Sequence, residues 1–108
     1  MSFSIALLNS AICTAEGTYT YTPISLDTAR ALVRGRNLDS AIGHESTAQV
    51  VGQLLDRPVP VNRQVFRQEK NQIALVFKLN GRLPEAKVFT QEEIEAIGYA
   101  FHVLERVE

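Results

Sequence analysis

Cysteine and histidine, the residues that most often bind structural zinc, are scarce in this chain of 108 residues. Cys13 is the single cysteine, so no disulfide bond can form within the chain. A closed zinc site needs four ligands, and only His44 and His102 are available beside Cys13. We therefore expect neither a bound metal nor a cofactor.

An excess of positive charge is also lacking, since the formal net charge is −1. Proteins that coat long nucleic acid usually carry a large basic excess, so we expect no such partner. A small anionic ligand stays compatible with this charge, because a few cations and a helix end can bind a phosphate. No apolar run approaches the roughly 20 residues that cross a membrane, and no basic region precedes the first apolar run. We expect a cytoplasmic protein without a membrane partner.

The composition is that of a folded domain, with 45% apolar and 21% charged residues. No repeat, low-complexity tract or linker divides the chain, so residues 1–108 are expected to form one domain. A chain of this length buries a small core and gains stability from a second copy. We therefore expect a two-fold dimer.

Local patterns predict the secondary structure. Composition, alternation and turn signals predict five strands, at Phe3–Leu8, Tyr19–Thr22, Val59–Phe66, Ile73–Leu79 and Tyr99–Val107. Apolar spacing and end signals predict three helices: one from the N-cap Ser25 to Gly35, one over about Glu45–Leu55, and one beginning at a capping box on Thr90. The prediction is an α/β (α+β) domain with a mixed sheet of about five strands and about three helices.

The most informative segment is Ser40–Thr47, which reads Ser-Ala-Ile-Gly-His-Glu-Ser-Thr. Gly43 and His44 lie where the chain enters the second helix, and Ser46 and Thr47 follow in its first turn. Unpaired N–H groups and the helix dipole favour an anion there, with the two hydroxyls as further donors. Gly43 would let a ligand approach the backbone, and histidine is the side chain that titrates near neutral pH. The alternative is a surface histidine beside an ordinary helix end.

A second polar segment follows the Asn80-Gly81 turn. Arg82 and Lys87 could neutralise phosphate oxygens, and Glu85 could orient a histidine or a hydroxyl. The alternative is a solvated loop of mixed charge, in which ion pairs contribute little.

Other candidates are scattered along the chain. Asn9 ends the first strand, where α/β proteins often contact ligands, and Arg63 follows Asn62 in a polar break. His102 has apolar neighbours on both sides and is interpreted as a packing residue. Three tyrosines could be core or edge residues, or could stack on a base: Tyr19, Tyr21 and Tyr99.

In their order and spacing, these segments resemble the compact ring nucleases of archaeal viruses, phages and integrative elements, whose type III anti-CRISPR members degrade cyclic tetra-adenylate. The resemblance covers nearly the whole chain and includes two departures: Glu45 stands where relatives often have aspartate, and Ala86 where many have glycine. Four segments carry it: Leu8–Ser10, Ala41–Thr47, Asn62–Arg63 and Arg82–Lys87.

The resemblance implies that the protein cleaves cyclic tetra-adenylate without a metal, giving linear products with 2′,3′-cyclic phosphate ends and switching off type III CRISPR signalling. By the same resemblance, His44, Arg82 and Glu85 would be catalytic, and Asn9 and Arg63 would bind the ring. A homodimer would hold the ring at its interface. Residues argued above from their chemistry would contact phosphates as well: Gly43, Ser46, Thr47 and Lys87.

Two other functions remain open on the sequence. One is a module that sequesters the cyclic oligonucleotide without cutting it, in which His44 would serve only as a hydrogen-bond donor. The other is an interaction protein of a mobile element that binds no nucleotide.

Overall fold

The computed structural model describes residues 5–64, 66–81 and 90–108. It confirms a small α+β domain in which a mixed sheet of five strands packs with three helices. None of the helices in these residues is long and apolar enough to cross a membrane. In chain order the elements are β1 (Ile5–Leu8), β2 (Tyr19–Ile24), α1 (Leu26–Val33), β3 (Leu38–Ser40), α2 (Glu45–Leu55), β4 (Ile73–Leu79), α3 (Gln91–Ile97) and β5 (Tyr99–Arg106).

The sheet has the strand order β2-β5-β4-β1-β3. β1 is parallel to both β3 and β4, with Leu7 opposite Ser40 and Leu8 opposite Val76. β5 is antiparallel to β4 and to the edge strand β2. Because β1, β3 and β4 run in the same direction, their carboxyl ends lie along one edge of the sheet. We call this the carboxyl edge.

The core is divided between the two faces of the sheet. All of β1 is buried, and its side chains alternate, since Ile5 and Leu7 pack under the helices while Ala6 and Leu8 face the other way. The helices contribute their apolar sides to the first face, as with Val33 of α1. The second face carries a smaller cluster that is partly covered by irregular chain: Ala6, Leu8, Ala74, Val76 and Leu104, with Tyr19, Ala41 and Phe66 against them.

The ends of α1 and α3 follow from local chemistry, as predicted. The Ser25 hydroxyl accepts a hydrogen bond from the Thr28 N–H at 3.1 Å and caps α1. Gly35 follows that helix with φ +69°, a conformation that glycine adopts without strain. Thr90 and Glu93 form the predicted capping box at the start of α3.

The predicted strand at Val59–Phe66 is wrong for the residues described there, 59–64 and 66, which form no strand. Pro58 and Pro60 lack N–H groups for a strand ladder, and the polar side chains that follow donate hydrogen bonds to Ser40 of β3 and to Gly43 after it. The fifth strand is instead β3, which the sequence did not predict. It has three residues, too few for an alternation to be recognised, and it forms because β1 supplies a partner.

Candidate functional site

Several of the predicted site residues come together at the carboxyl edge. Asn9 follows β1 and is exposed, and residues 41–44 lead from β3 into α2. The Ala41 N–H donates to the Leu7 carbonyl at 3.0 Å, so the pairing of β1 with the chain after β3 continues to this edge. Asn9 and Gly43–His44 therefore leave adjacent strands on the same side of the molecule.

The third parallel strand, β4, also ends at this edge. The chain leaves it through Asn80 and Gly81, and the Asn80 N–H donates to the Gly98 carbonyl at 2.9 Å, tying that turn to the start of β5. Three residues predicted to act at the site lie outside the described residues: Arg82, Glu85 and Lys87.

His44 is the N-cap residue of α2, whose predicted bounds Glu45–Leu55 are confirmed. It has extended backbone, with φ −119° and ψ 129°, and its exposed side chain makes no capping hydrogen bond. Of the three helices in the described residues, α2 alone lacks a side-chain cap. Its first-turn N–H groups therefore lack the usual side-chain acceptor, although the Glu45 carboxylate beside them lowers the local positive potential.

The hydroxyl residues of this turn, Ser46 and Thr47, are half-buried. No hydrogen bond from either side-chain hydroxyl to the rest of the described chain is seen. Both hydroxyls are chemically able to donate to an anion at the start of α2.

Arg63 reaches the same place from the irregular segment after α2. Its Nε donates a hydrogen bond to the Gly43 carbonyl at 3.0 Å, one residue before His44. The side chain is exposed, and its guanidinium makes no other hydrogen bond to the described residues. Arg63 thus brings a cation, with free donors, to the start of α2.

Two neighbours of Arg63 hold this segment against β3. The Asn62 side-chain amide donates to the Ser40 carbonyl at 2.9 Å, and the Gln64 amide donates to the same carbonyl at 2.6 Å. Gln64 also donates to the Asp39 carboxylate at 2.9 Å. Gln64 is not among the predicted site residues, although the unbroken polar run from Asn62 to Gln64 after two prolines is a sequence signal for it.

The remaining aromatic candidates lie in three different settings. Tyr19 donates its hydroxyl to the Ala15 carbonyl at 2.9 Å, and Tyr99 joins the rings of Phe77 and Phe101. Tyr21 is exposed on β2 and stacks on His102, with ring centroids 4.4 Å apart and an interplanar angle of 7°. His102 therefore packs, as predicted.

Among the described residues, Tyr99 has a pKa that its environment clearly shifts. Burial raises the pKa of Tyr99, and the nearby Glu95 carboxylate raises it further, while Arg30 acts in the opposite direction. No group of three or more His, Cys, Asp or Glu side chains in residues 5–64, 66–81 and 90–108 is arranged to hold a metal ion.

The family model described as STIV B116-like matches residues 5–101, which include the whole carboxyl edge. The chain belongs to the STIV B116-like family. B116 of Sulfolobus turreted icosahedral virus has the same fold, with a TM-score of 0.84 and 23% sequence identity, covering 96% of this chain and 100% of B116.

STIV B116-like relatives occur in a bacterium and in archaeal viruses. Protein YddF of Bacillus subtilis (strain 168) is 39% identical over 107 residues, covering 96% of this chain and 98% of YddF. Protein 26 of the Sulfolobus islandicus filamentous virus is 35% identical over 86 residues, covering 78% of this chain and 72% of the viral protein. ORF117 of Acidianus two-tailed virus is 33% identical over 88 residues, covering 79% of this chain and 75% of ORF117.

Proposed function

We propose that this protein is a ring nuclease that cleaves cyclic tetra-adenylate and so switches off type III CRISPR signalling. One observation carries the proposal most directly. The exposed His44 is the N-cap residue of a helix that has no side-chain cap, and Arg63 donates a hydrogen bond to Gly43, the residue before His44. A proton donor, unpaired N–H groups and a cation thus lie at one place, as the cleavage of a phosphodiester requires.

The proposed reaction is a transesterification within the ring. A ribose 2′-oxygen forms a bond to the adjacent phosphorus, and the bond from phosphorus to the 5′-oxygen breaks. The 2′-hydroxyl proton passes to solvent, and His44 donates a proton to the departing 5′-oxygen. The products are a 2′,3′-cyclic phosphate and a free 5′-hydroxyl. Because the substrate supplies its own nucleophile, the reaction requires neither a metal nor a protein nucleophile.

The binding residues have separate tasks in this proposal. Arg63 and the first-turn N–H groups of α2, with Ser46 and Thr47, contact phosphate oxygens, and Asn9 contacts the ring from the adjacent strand. Their common position at the carboxyl edge supports this assignment.

Three further roles come from the sequence, those of Arg82 and Glu85 from the resemblance and that of Lys87 from its charge. Arg82 would stabilise the charge that builds on the phosphoryl oxygens, and Glu85 would orient His44 or keep it protonated. Lys87 would add a positive charge near the phosphates.

A two-fold dimer with the ring at its interface completes the proposal. Cyclic tetra-adenylate has internal symmetry, so two copies of the carboxyl edge would present a His44 to each of two opposite linkages.

The test is product analysis after mixing the protein with cyclic tetra-adenylate in excess EDTA, beside His44→Ala. We expect the wild type to give linear products with cyclic phosphate ends and the variant to be slower by about 10²–10⁴-fold, the usual contribution of general acid catalysis. His102→Phe is the matched control, since it removes the other histidine, keeps a ring against Tyr21, and should cut at the wild-type rate.

Three results would contradict the proposal in whole or in part. Wild-type protein that binds the ring but leaves it intact would favour the sequestering module. Protein that neither binds nor cuts would favour an interaction protein without a nucleotide ligand. Equal cutting by wild type and His44→Ala would remove the catalytic role of His44.

A further inference from the structure

The place where Gly43 would carry a side chain is filled by Arg63. A Cβ built on Gly43 would lie 2.6 Å from Cγ of Arg63, 3.3 Å from its Nε and 3.4 Å from its Cδ. These are the three nearest atoms, so Arg63 is the neighbour that such a Cβ would meet first. Gly43 does not have a positive φ, so its backbone conformation is open to alanine as well. What the glycine provides here is therefore room for Arg63.

The backbone around Arg63 is held in place on both sides. The Asn62 N–H donates to the Ile42 carbonyl at 2.8 Å, and its side-chain amide donates to the Ser40 carbonyl at 2.9 Å. Gln64 also bonds to the Ser40 carbonyl, at 2.6 Å. A methyl group on residue 43 would therefore be accommodated by rotation of the Arg63 side chain, not by retreat of the segment, and that rotation breaks the 3.0 Å bond from Nε to the Gly43 carbonyl.

We infer that Gly43 is a positioning residue, which holds the Arg63 guanidinium at the start of α2 as a preformed arm for a ring phosphate. This inference rests on the proposed function. Arginine has a long side chain that loses rotamer freedom when it binds, and a side chain that is ordered beforehand loses less. In this role Gly43 positions Arg63, whereas the sequence predicted that Gly43 lets the ligand approach the backbone.

A double-mutant cycle tests the inference with three variants: Gly43→Ala, Arg63→Ala and the two combined. Affinity for cyclic tetra-adenylate is measured in a His44→Ala background, so that the ring stays intact. A hydrogen bond to a charged group is worth about tenfold to 100-fold in affinity, so we expect Arg63→Ala to weaken binding by this factor and Gly43→Ala by about tenfold. The combined variant should bind no more weakly than Arg63→Ala alone.

Two further measurements separate positioning from general damage. In the cleavage assay with His44 intact, Gly43→Ala should raise KM more than it lowers kcat, because the binding arm is displaced and the proton donor is not. Gly52→Ala is the matched control. Gly52 lies within α2 and away from His44, and a Cβ on it would lie 2.9 Å from the Arg57 carbonyl oxygen. It should leave ring affinity unchanged.

The outcomes distinguish the inference from the function on which it rests. If the His44→Ala protein binds the ring and Gly43→Ala has no effect, or weakens binding equally with and without Arg63, the inference is overturned and the proposed function stands. If neither the wild type nor His44→Ala binds the ring at all, both are overturned. Loss of thermal stability in Gly43→Ala that persists in full in the Arg63→Ala background would also contradict the packing on which the inference depends.

Discussion

The two histidines of this chain lie in contrasting environments. His44 is exposed, and its side chain makes no hydrogen bond to the described residues. His102 is half-buried against Tyr21, and its Nδ1 is buried without a partner in the described residues. A proton donor must reach its ligand, and a buried nitrogen beside a stacked ring has no access to one. In the proposed reaction this contrast favours His44 over His102 as the proton donor, and it makes His102 a suitable control.

The raised pKa of Tyr99 predicts how the free energy of unfolding changes at alkaline pH. Its pKa in the folded protein is raised from the ordinary value of 10.0, first by burial and then by Glu95. The unfolded chain therefore loses this proton first as the pH rises above about 10, so stability present below that pH is lost above it. Tyr99→Phe removes this contribution. We expect its unfolding free energy to fall less steeply than that of the wild type between about pH 9 and 11.

The measurement is urea unfolding followed by far-ultraviolet circular dichroism, since the chain has no tryptophan. Tyr21→Phe also removes one phenol but keeps Tyr99, so it should follow the wild-type pH dependence. Curves of equal slope for Tyr99→Phe and the wild type would show that Tyr99 does not contribute to the alkaline loss.

The segment between α2 and β4 covers and stabilises the sheet as an extra strand would, although its described residues form no strand. It covers part of the second face of the sheet, where Phe66 packs and Gln68 is 0% exposed. The Gln68 side-chain amide donates to the carbonyls of Gln72 and Leu104, both at 2.8 Å, which joins the segment to β5. Polar bonds made by one buried side chain thus replace a strand ladder at this point.

Gln68→Leu tests the contribution of these bonds. Leucine is close in size but leaves two buried carbonyls without the amide donors, and it also removes the Gln68 Oε1, which has no partner in the described residues. We expect a net loss of about 1–3 kcal/mol in unfolding free energy. Gln49→Leu on the exposed side of α2 is the control and should change it by less than about 0.5 kcal/mol. Equal stability of the two variants would contradict this account of the segment.

The elements also show how far the sequence could predict the structure. The ends of α1 and α3 were predicted because Ser25, Gly35 and Thr90 act on residues next to them. β3 was missed because its formation depends on β1, more than 30 residues earlier in the chain. The wrong strand at 59–66 has a similar cause, since the bonds that shape it end on Ser40.

The candidate site was predictable to a similar degree. Asn9, His44 and Arg63 were singled out by residue type and position, and the carboxyl edge brings them to one side of the molecule. The contact of Arg63 with Gly43 could not be predicted, because it joins residues 20 positions apart through a side chain that fills the space over a glycine. Arg82, Glu85 and Lys87 remain predictions, since they lie outside the described residues.

Between this chain and B116, the fold of the whole molecule differs much less than the amino-acid sequence does. B116 has 23% sequence identity to this chain with a TM-score of 0.84, so the sheet and helices tolerate replacement of most side chains. A shared fold alone does not assign a function. The residues at the carboxyl edge, and the contact that the edges of two chains would make in a dimer, are therefore what support the proposed function.

A two-fold dimer with the ring between its two carboxyl edges predicts how many rings each chain binds. The carboxyl edge of each chain has one His44. The four linkages of cyclic tetra-adenylate form two equivalent pairs, so a two-fold dimer would place one His44 at each of two opposite linkages. Titration calorimetry with His44→Ala should then give about one ring for every two chains, and sedimentation should show a dimer with and without the ring. A ratio of one ring per chain, or a monomer that cuts the ring at the full rate, would contradict the dimer while leaving the chemistry of His44 to be judged by product analysis.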